Sequence, residues 1–236
     1  MKGSVHVAIG ASAPIGLVAT QAITIPQGVV MAIVAAGYAV LPDVDTPTSC
    51  ASRALGPLAH KAVHGLCRSV VDRTALRRDK SRVRWMEIRR RDPYHRSLTH
   101  TLAATLLLGC IALGSSWAHP AFAGFLAALG AFLLWPICGR FGLIVPAAAV
   151  AALGAATVLS PWMVTLAVTG GYMSHLLADA CTTAGVPLFW PLEIQGKRWW
   201  YIRLLGASVT SGSPGERGPA VGVALASNVL LLFAYF

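Results

Sequence analysis

Apolar and small residues run along this chain in long blocks separated by short polar breaks. Four stretches contain no Asp, Glu, Lys or Arg: Gly3–Pro42, Ser97–Gly139, Phe141–Ala178 and Gly218–Phe236, of 40, 43, 38 and 19 residues. A helix crosses a hydrocarbon core with roughly 20 mainly apolar residues. The stretches therefore predict two, two, two and one crossings, seven in all. Each long stretch has a helix breaker near its middle: Thr24-Ile25-Pro26-Gln27-Gly28, Ser115-Ser116-Trp117-Ala118-His119-Pro120 and Ser160-Pro161-Trp162. Trp117 and Trp162 fall where interfacial aromatics are expected. The first two helices span about residues 4–22 and 27–41. A secretory signal is the rival reading of residues 1–22, with Lys2, an apolar run and Thr20-Gln21-Ala22; the run continues into a second apolar segment, which disfavours it.

Composition agrees with this pattern and charge orients it. Of 236 residues, 56% are hydrophobic and 12% charged, about half the charged share of a soluble domain. Arg53–Arg96 holds 13 of the 19 Lys and Arg against four acids. So basic a loop stays cytoplasmic. Counting outward from it places Met1, residues 43–96, Arg140 and residues 179–217 on the cytoplasmic side, so that all 19 basic residues share one face. The expected architecture is an all-α polytopic membrane bundle, one integral domain over residues 1–236, with residues 48–92 as a basic cytoplasmic insert.

Within the insert, residues 52–79 are spaced as an amphipathic helix lying on anionic lipid of the inner leaflet. The run from Arg77 to Arg91 is too charged for a core and reads as a solvated or lipid-facing connector. No helix-turn-helix or zinc-finger spacing accompanies the basic residues, so no nucleic-acid partner is expected. Residues 146–157, rich in alanine, suit close helix packing. The five cysteines, Cys50, Cys67, Cys110, Cys138 and Cys181, are odd in number and lack a CxxC pair, against a disulfide framework or thiolate zinc site. Cys110 and Cys138 read as small buried residues.

Ionisable groups at a membrane are costly and mark function. Here His6 lies one turn into the first helix, Asp43 and Asp45 end the second, His95 and His100 begin the third, and His175 and Asp179 end the sixth. Four helix ends thus deliver imidazoles and carboxylates to one membrane depth. Those are ligands of Zn²⁺, Mn²⁺ and Fe²⁺, and a mixed His/Asp set suits sites that hold two or more ions and activate water. His175 and Asp179, at i and i+4, share a helical face. His95 and His100 converge only if the helix starts near Ser97 as its N-cap, leaving His95 in the loop. Singly, HxxxD also serves as a helix-surface hydrogen bond and DxD between prolines as a turn. Together they point to a metal site.

Leu41-Pro42-Asp43-Val44-Asp45 with Pro47 and Ser49, then His95-Arg96-Ser97-Leu98-Thr99-His100, then His175-Leu176-Leu177-Ala178-Asp179 with Thr182, Gly185, Pro187, Leu188, Trp190 and Pro191, resemble the motifs of the inner-membrane-associated metal-dependent hydrolases. His6 matches that family's early histidine. The resemblance spans nearly the whole chain, the insert between Cys50 and Asp92 being the main departure. It implies remote similarity to zinc-dependent phospholipase C, and hence phosphoester hydrolysis by fold-level analogy. The family's LexA-binding label finds no support in these residues.

A phosphoester would need positive donors beside the ions. Arg96 is the first candidate, followed by Lys197, Arg198 and Arg203, although Lys197-Arg198-Trp199-Trp200-Tyr201 reads equally as a snorkelling interfacial belt. Asp45 is a candidate general base. Thr99 and Thr182 suit hydrogen bonding behind the ligands. Tyr94 and Tyr172 read as packing residues, Glu193 as a surface acid, and His119 lies on the opposite face. The expected activity is metal-dependent hydrolysis of a lipid or lipid-linked phosphoester by a metal-activated water at the cytoplasmic face. The alternatives are a transporter, which needs ionisable groups through the whole bilayer depth, and a non-enzymatic membrane adaptor using the basic loop.

Overall fold

The computed structural model describes residues 2–88, 92–138, 144–204, 215 and 217–236. Among them all regular structure is helical, apart from two isolated bridges, Val186 with Ile202 and Ile194 with Lys197. The three breakers in the apolar stretches all open helices. Thr24 caps α3 (Ile25–Tyr38), exchanging hydrogen bonds with Gln27 in a capping box; His119 caps α8 (Pro120–Leu133) by accepting from Ala121 N; Ser160 caps α11 (Pro161–Ala180) by accepting from Met163 N. A proline follows each cap within two residues, where its missing N–H leaves no bond unmade.

The first expected helix is broken. The chain forms α1 (Gly3–Ser12) and α2 (Ile15–Ala19), because Pro14 can neither donate to nor fit inside a continuous helix. α3 then passes through the centre and runs into a 3-10 turn, Leu41–Asp45, that carries both acids of the DxD. Its neighbours are α1, α8, α10 (Ile144–Thr157) and α11. Small residues set these distances: a methyl on Gly37 would overlap the Gly130 carbonyl of α8, and one on Gly171 the Ala35 carbonyl of α3. Likewise Gly154 of α10 lies against Val30, the close packing expected of that segment.

Among the described residues, three segments are long and apolar enough to cross a membrane: Ile25–Asp45, Pro120–Ile137 and Gly218–Tyr235. Gly3–Ala19, Leu102–Ala118 and Ala147–Thr157 are apolar but shorter. α11 has 20 residues but carries Thr165, Thr169, Ser174, His175 and Asp179, and it lies inside the bundle against α1, α3, α7 (Leu102–Ala118) and α12 (Arg217–Tyr235). Trp117 and Trp162 are exposed, 74% and 45%, as their terminal positions suggest.

The insert departs from the single helix expected over 52–79. It forms α4 (Cys50–Leu55), α5 (Pro57–Thr74) and α6 (Arg77–Ile88), with the first break at Gly56, whose φ of 87° precedes Pro57. α6 is not merely a solvated connector. Asp79 is 3% exposed and accepts bonds at 3.0 Å from Leu76 N, at the start of its own helix, and from Arg198 N. The Lys197–Tyr201 belt is likewise corrected: Trp199 is buried, stacks on Trp190 at 5.3 Å and packs with Val71 and Tyr94, while Arg82 lies over the Tyr201 ring. These aromatics form a small second core between the insert and residues 181–204. Cys110 is exposed, since it lies on the outer face of α7. Arg140, Arg89, Arg90 and Arg91, and the side chains of Cys138 and Arg217, lie outside the described residues.

Candidate metal centre

The loop before α7 shows how five residues bring two histidines together. Ser97 does not cap the helix. A 3-10 turn, Leu98–His100, follows it, and Thr101 makes the cap by accepting from Ala104 N at 3.1 Å. The turn is held from outside: Tyr172 donates to the Thr99 carbonyl, and Leu102 N donates to Leu188 O at 2.9 Å. His95 stays in the loop as expected, and its ring centroid lies 5.4 Å from that of His100.

The seven imidazoles and carboxylates singled out in the sequence gather at one end of the bundle. Asp43, His100, His175 and Asp179 form one group of potential ligands, and Asp43, Asp45 and His95 a second; within each group the ligand atoms lie within 4.8 Å of one another. In the first, His100 Nε2 is 3.2 Å from His175 Nε2 and 3.4 Å from Asp43 Oδ1, and Asp179 Oδ2 is 3.6 Å and 3.5 Å from the two nitrogens. In the second, His95 Nδ1 is 3.0 Å from Asp45 Oδ1. Asp43 belongs to both.

Two observations show that the donor set fits a cation. His175 Nδ1 lies 2.8 Å from the Ala39 carbonyl, which can only accept, so neutral His175 turns a lone pair at Nε2 toward carboxylate oxygens. Lone pairs that converge in a dry interior repel unless a proton or a metal ion lies between them. His6 supplies the other observation. It is 1% exposed, stacks on His175 at 3.8 Å, has Nε2 at 3.5 Å from Asp179 Oδ1, and leaves both ring nitrogens without a hydrogen bond. Buried polar atoms are nearly always paired. The nitrogen and oxygen donors suit Zn²⁺, Mn²⁺ or Fe²⁺.

Surrounding groups hold the ligands in place. Thr99 Oγ1 reaches Asp45 Oδ2 at 3.2 Å and His100 Nδ1 at 3.0 Å. Arg96, in the left-handed region at φ 57°, places Nε 2.9 Å from Asp179 Oδ2 and donates from Nη1 to Thr182 Oγ1 at 2.7 Å; Thr182 in turn donates to the Asp179 carbonyl. Thr46, which the sequence reasoning passed over, lies 2.9 Å from His95 Nδ1; its place beside the DxD was the available signal. Cys67 also borders the site, buried, its thiol pushed up by burial and then by the charge of Asp45. Burial opposes the charge on His95, yet the hydrogen bond and charge of Asp45 outweigh it and raise its pKa above the ordinary histidine value.

The remaining candidates make their contacts elsewhere. Arg198 bonds Asp79 and the Thr74 carbonyl, Lys197 lies over Trp200, and Arg203 and Glu193 are exposed. His119 caps α8. The centre is open at one edge: Asp43 and His95 are 24% and 30% exposed, while His6, Asp45, His100, His175 and Asp179 are at 0–1%.

No curated protein and no solved structure matches the chain. The family model described as YdjM inner membrane protein matches residues 1–236, insert included. Apolar helices of crossing length and a match over the full chain agree: this is an inner membrane protein and belongs to the YdjM family.

Proposed function

We propose that this protein is a metal-dependent hydrolase of a lipid or lipid-linked phosphoester, acting at the cytoplasmic face of a seven-crossing bundle whose N-terminus is cytoplasmic. The reading is carried by Asp43, the one carboxylate shared by both ligand groups and among the few exposed to solvent. An aspartate common to two ligand groups at an open edge would suit a two-ion site next to a reacting ester. His100, His175, Asp179 and His6 would hold one ion, and Asp45 and His95 the other. The short or polar segments, α1 with α2, α7, α10 and α11, complete the crossings, since α11 buries its polar groups against protein. The basic insert holds the cytoplasmic side to anionic lipid.

When bound, the ions supply Lewis acidity and lower the pKa of a nearby water. The chain's own residues do the rest. Asp45, fixed by His95 and Thr99, accepts the proton of the attacking water. Arg96 gives two donors to Asp179 and Thr182, and its further N–H groups would serve phosphoryl oxygens. The ionisable residues cluster at one end of the bundle, which supports a hydrolase over a transporter.

The test is elemental analysis and phosphoesterase assay of purified protein with Asp43→Ala and His175→Ala. Asp43→Ala is expected to lose both ions and all activity; His175→Ala is expected to lose mainly one ion. Near-zero metal in wild type and both variants alike overturns the reading.

A further inference from the structure

α5 turns His60, His64, Cys67 and Val71 to one side, at spacings of four, three and four residues, and that side packs on the centre. Cys67 and Val71 are buried. His60 and His64 lie nearer the solvent, with ring centroids 5.6 Å apart. His60 Nδ1 is 3.3 Å from the carbonyl of Val44, the residue between Asp43 and Asp45. His64 Nε2 is 3.0 Å from Asp92 Oδ2, three residues before His95. The pair therefore flanks the open edge at Asp43 and His95.

Each of these histidines has its tautomer set. A carbonyl only accepts, so His60 carries its proton on Nδ1 and presents Nε2 as a lone pair. Asp92 accepts from His64 Nε2, so neutral His64 presents Nδ1 as a lone pair. A histidine whose second nitrogen donates to a carbonyl or carboxylate is the form that metal ions bind, and His175 has the same support from Ala39. Two histidines four apart on one helical face can grip a single ion.

We propose that His60 and His64 form a second, exchangeable site for a borderline divalent cation such as Zn²⁺ or Co²⁺, with Asp92 as the positioning residue of His64, and that ions reach the centre through it. Two protein ligands at a surface hold an ion loosely, which suits transfer. The transfer step rests on the metal-centre reading above, whereas the binding site does not.

The test is Zn²⁺ binding to the purified full chain, by equilibrium dialysis with elemental analysis, and the rate at which tightly held zinc accumulates. His60→Gln with His64→Gln is expected to remove one weakly held equivalent, leave the tight equivalents unchanged and slow their filling several-fold. The retained tight equivalents report an intact fold. If the double variant misfolds, either single substitution should weaken the same equivalent. Asp92→Asn should weaken it without abolishing it. Asp43→Ala with His175→Ala should keep it and lose the tight ions. An unchanged number of weak equivalents in the histidine variants overturns the proposal. Wild type that holds only the weak equivalent would instead overturn the metal-centre reading and leave this site standing.

Discussion

Ile25–Asp45 and Gly218–Tyr235 are equally apolar on average, yet 61% of the apolar 18-residue window of the first is buried inside the protein and 17% of the second. The first crosses its neighbours at glycines and ends in Asp43 and Asp45; the second has no charged residue and exposes Val221, Leu225 and Phe233. Lipid and protein interior are alike in polarity, so hydropathy cannot separate a helix that faces one from a helix that faces the other. Close backbone approach and terminal carboxylates mark the inner one.

The sharpest way to break this contrast is at the polar end of the inner helices. Arg96→Met removes the guanidinium 2.9 Å from Asp179, a carboxylate 1% exposed that also faces His6, His100 and His175, and breaking a buried ion pair costs about 3–5 kcal/mol. A large fall in thermal midpoint in detergent is expected, with Arg96→Lys recovering part of it. Next comes the backbone crossing: Gly37→Leu drives a side chain into the Gly130 carbonyl, where overpacking should cost about 3 kcal/mol. The outer helix supplies the control, since Gly222 has open space around it and Gly222→Leu should stay within about 0.5 kcal/mol. Equal midpoints for the two glycine variants would mean that burial does not distinguish these helices. The smallest effect belongs to the caps: Thr24→Ala should lower stability by about 1 kcal/mol, measured the same way.

The breakers were legible because Ser, Thr or His within two residues of a proline readily caps a helix, the side chain accepting from the first turn and the proline needing no N–H there. Asp79 and Trp199 were not legible. Each looks like a surface residue in its own segment and becomes interior only when the insert meets residues 181–204. The break at Gly56 was missed for a related reason: the apolar spacing runs through it, while the positive φ that ends the helix is a backbone property. Arg96 was legible as a cation beside histidines, but not its hold on Asp179, 83 residues away.

By itself the sequence determined that the chain is helical and apolar, where α3, α8 and α11 begin, and that its imidazoles and carboxylates lie at or beside helix ends; these depend on composition and on contacts within a few residues. Only the tertiary structure decided that Asp43 stands between two ligand groups, that His6 stacks on His175, and that His60 and His64 border the open edge. Such contacts depend on crossing distances between helices remote in sequence, which glycines and alanines set by letting backbones touch.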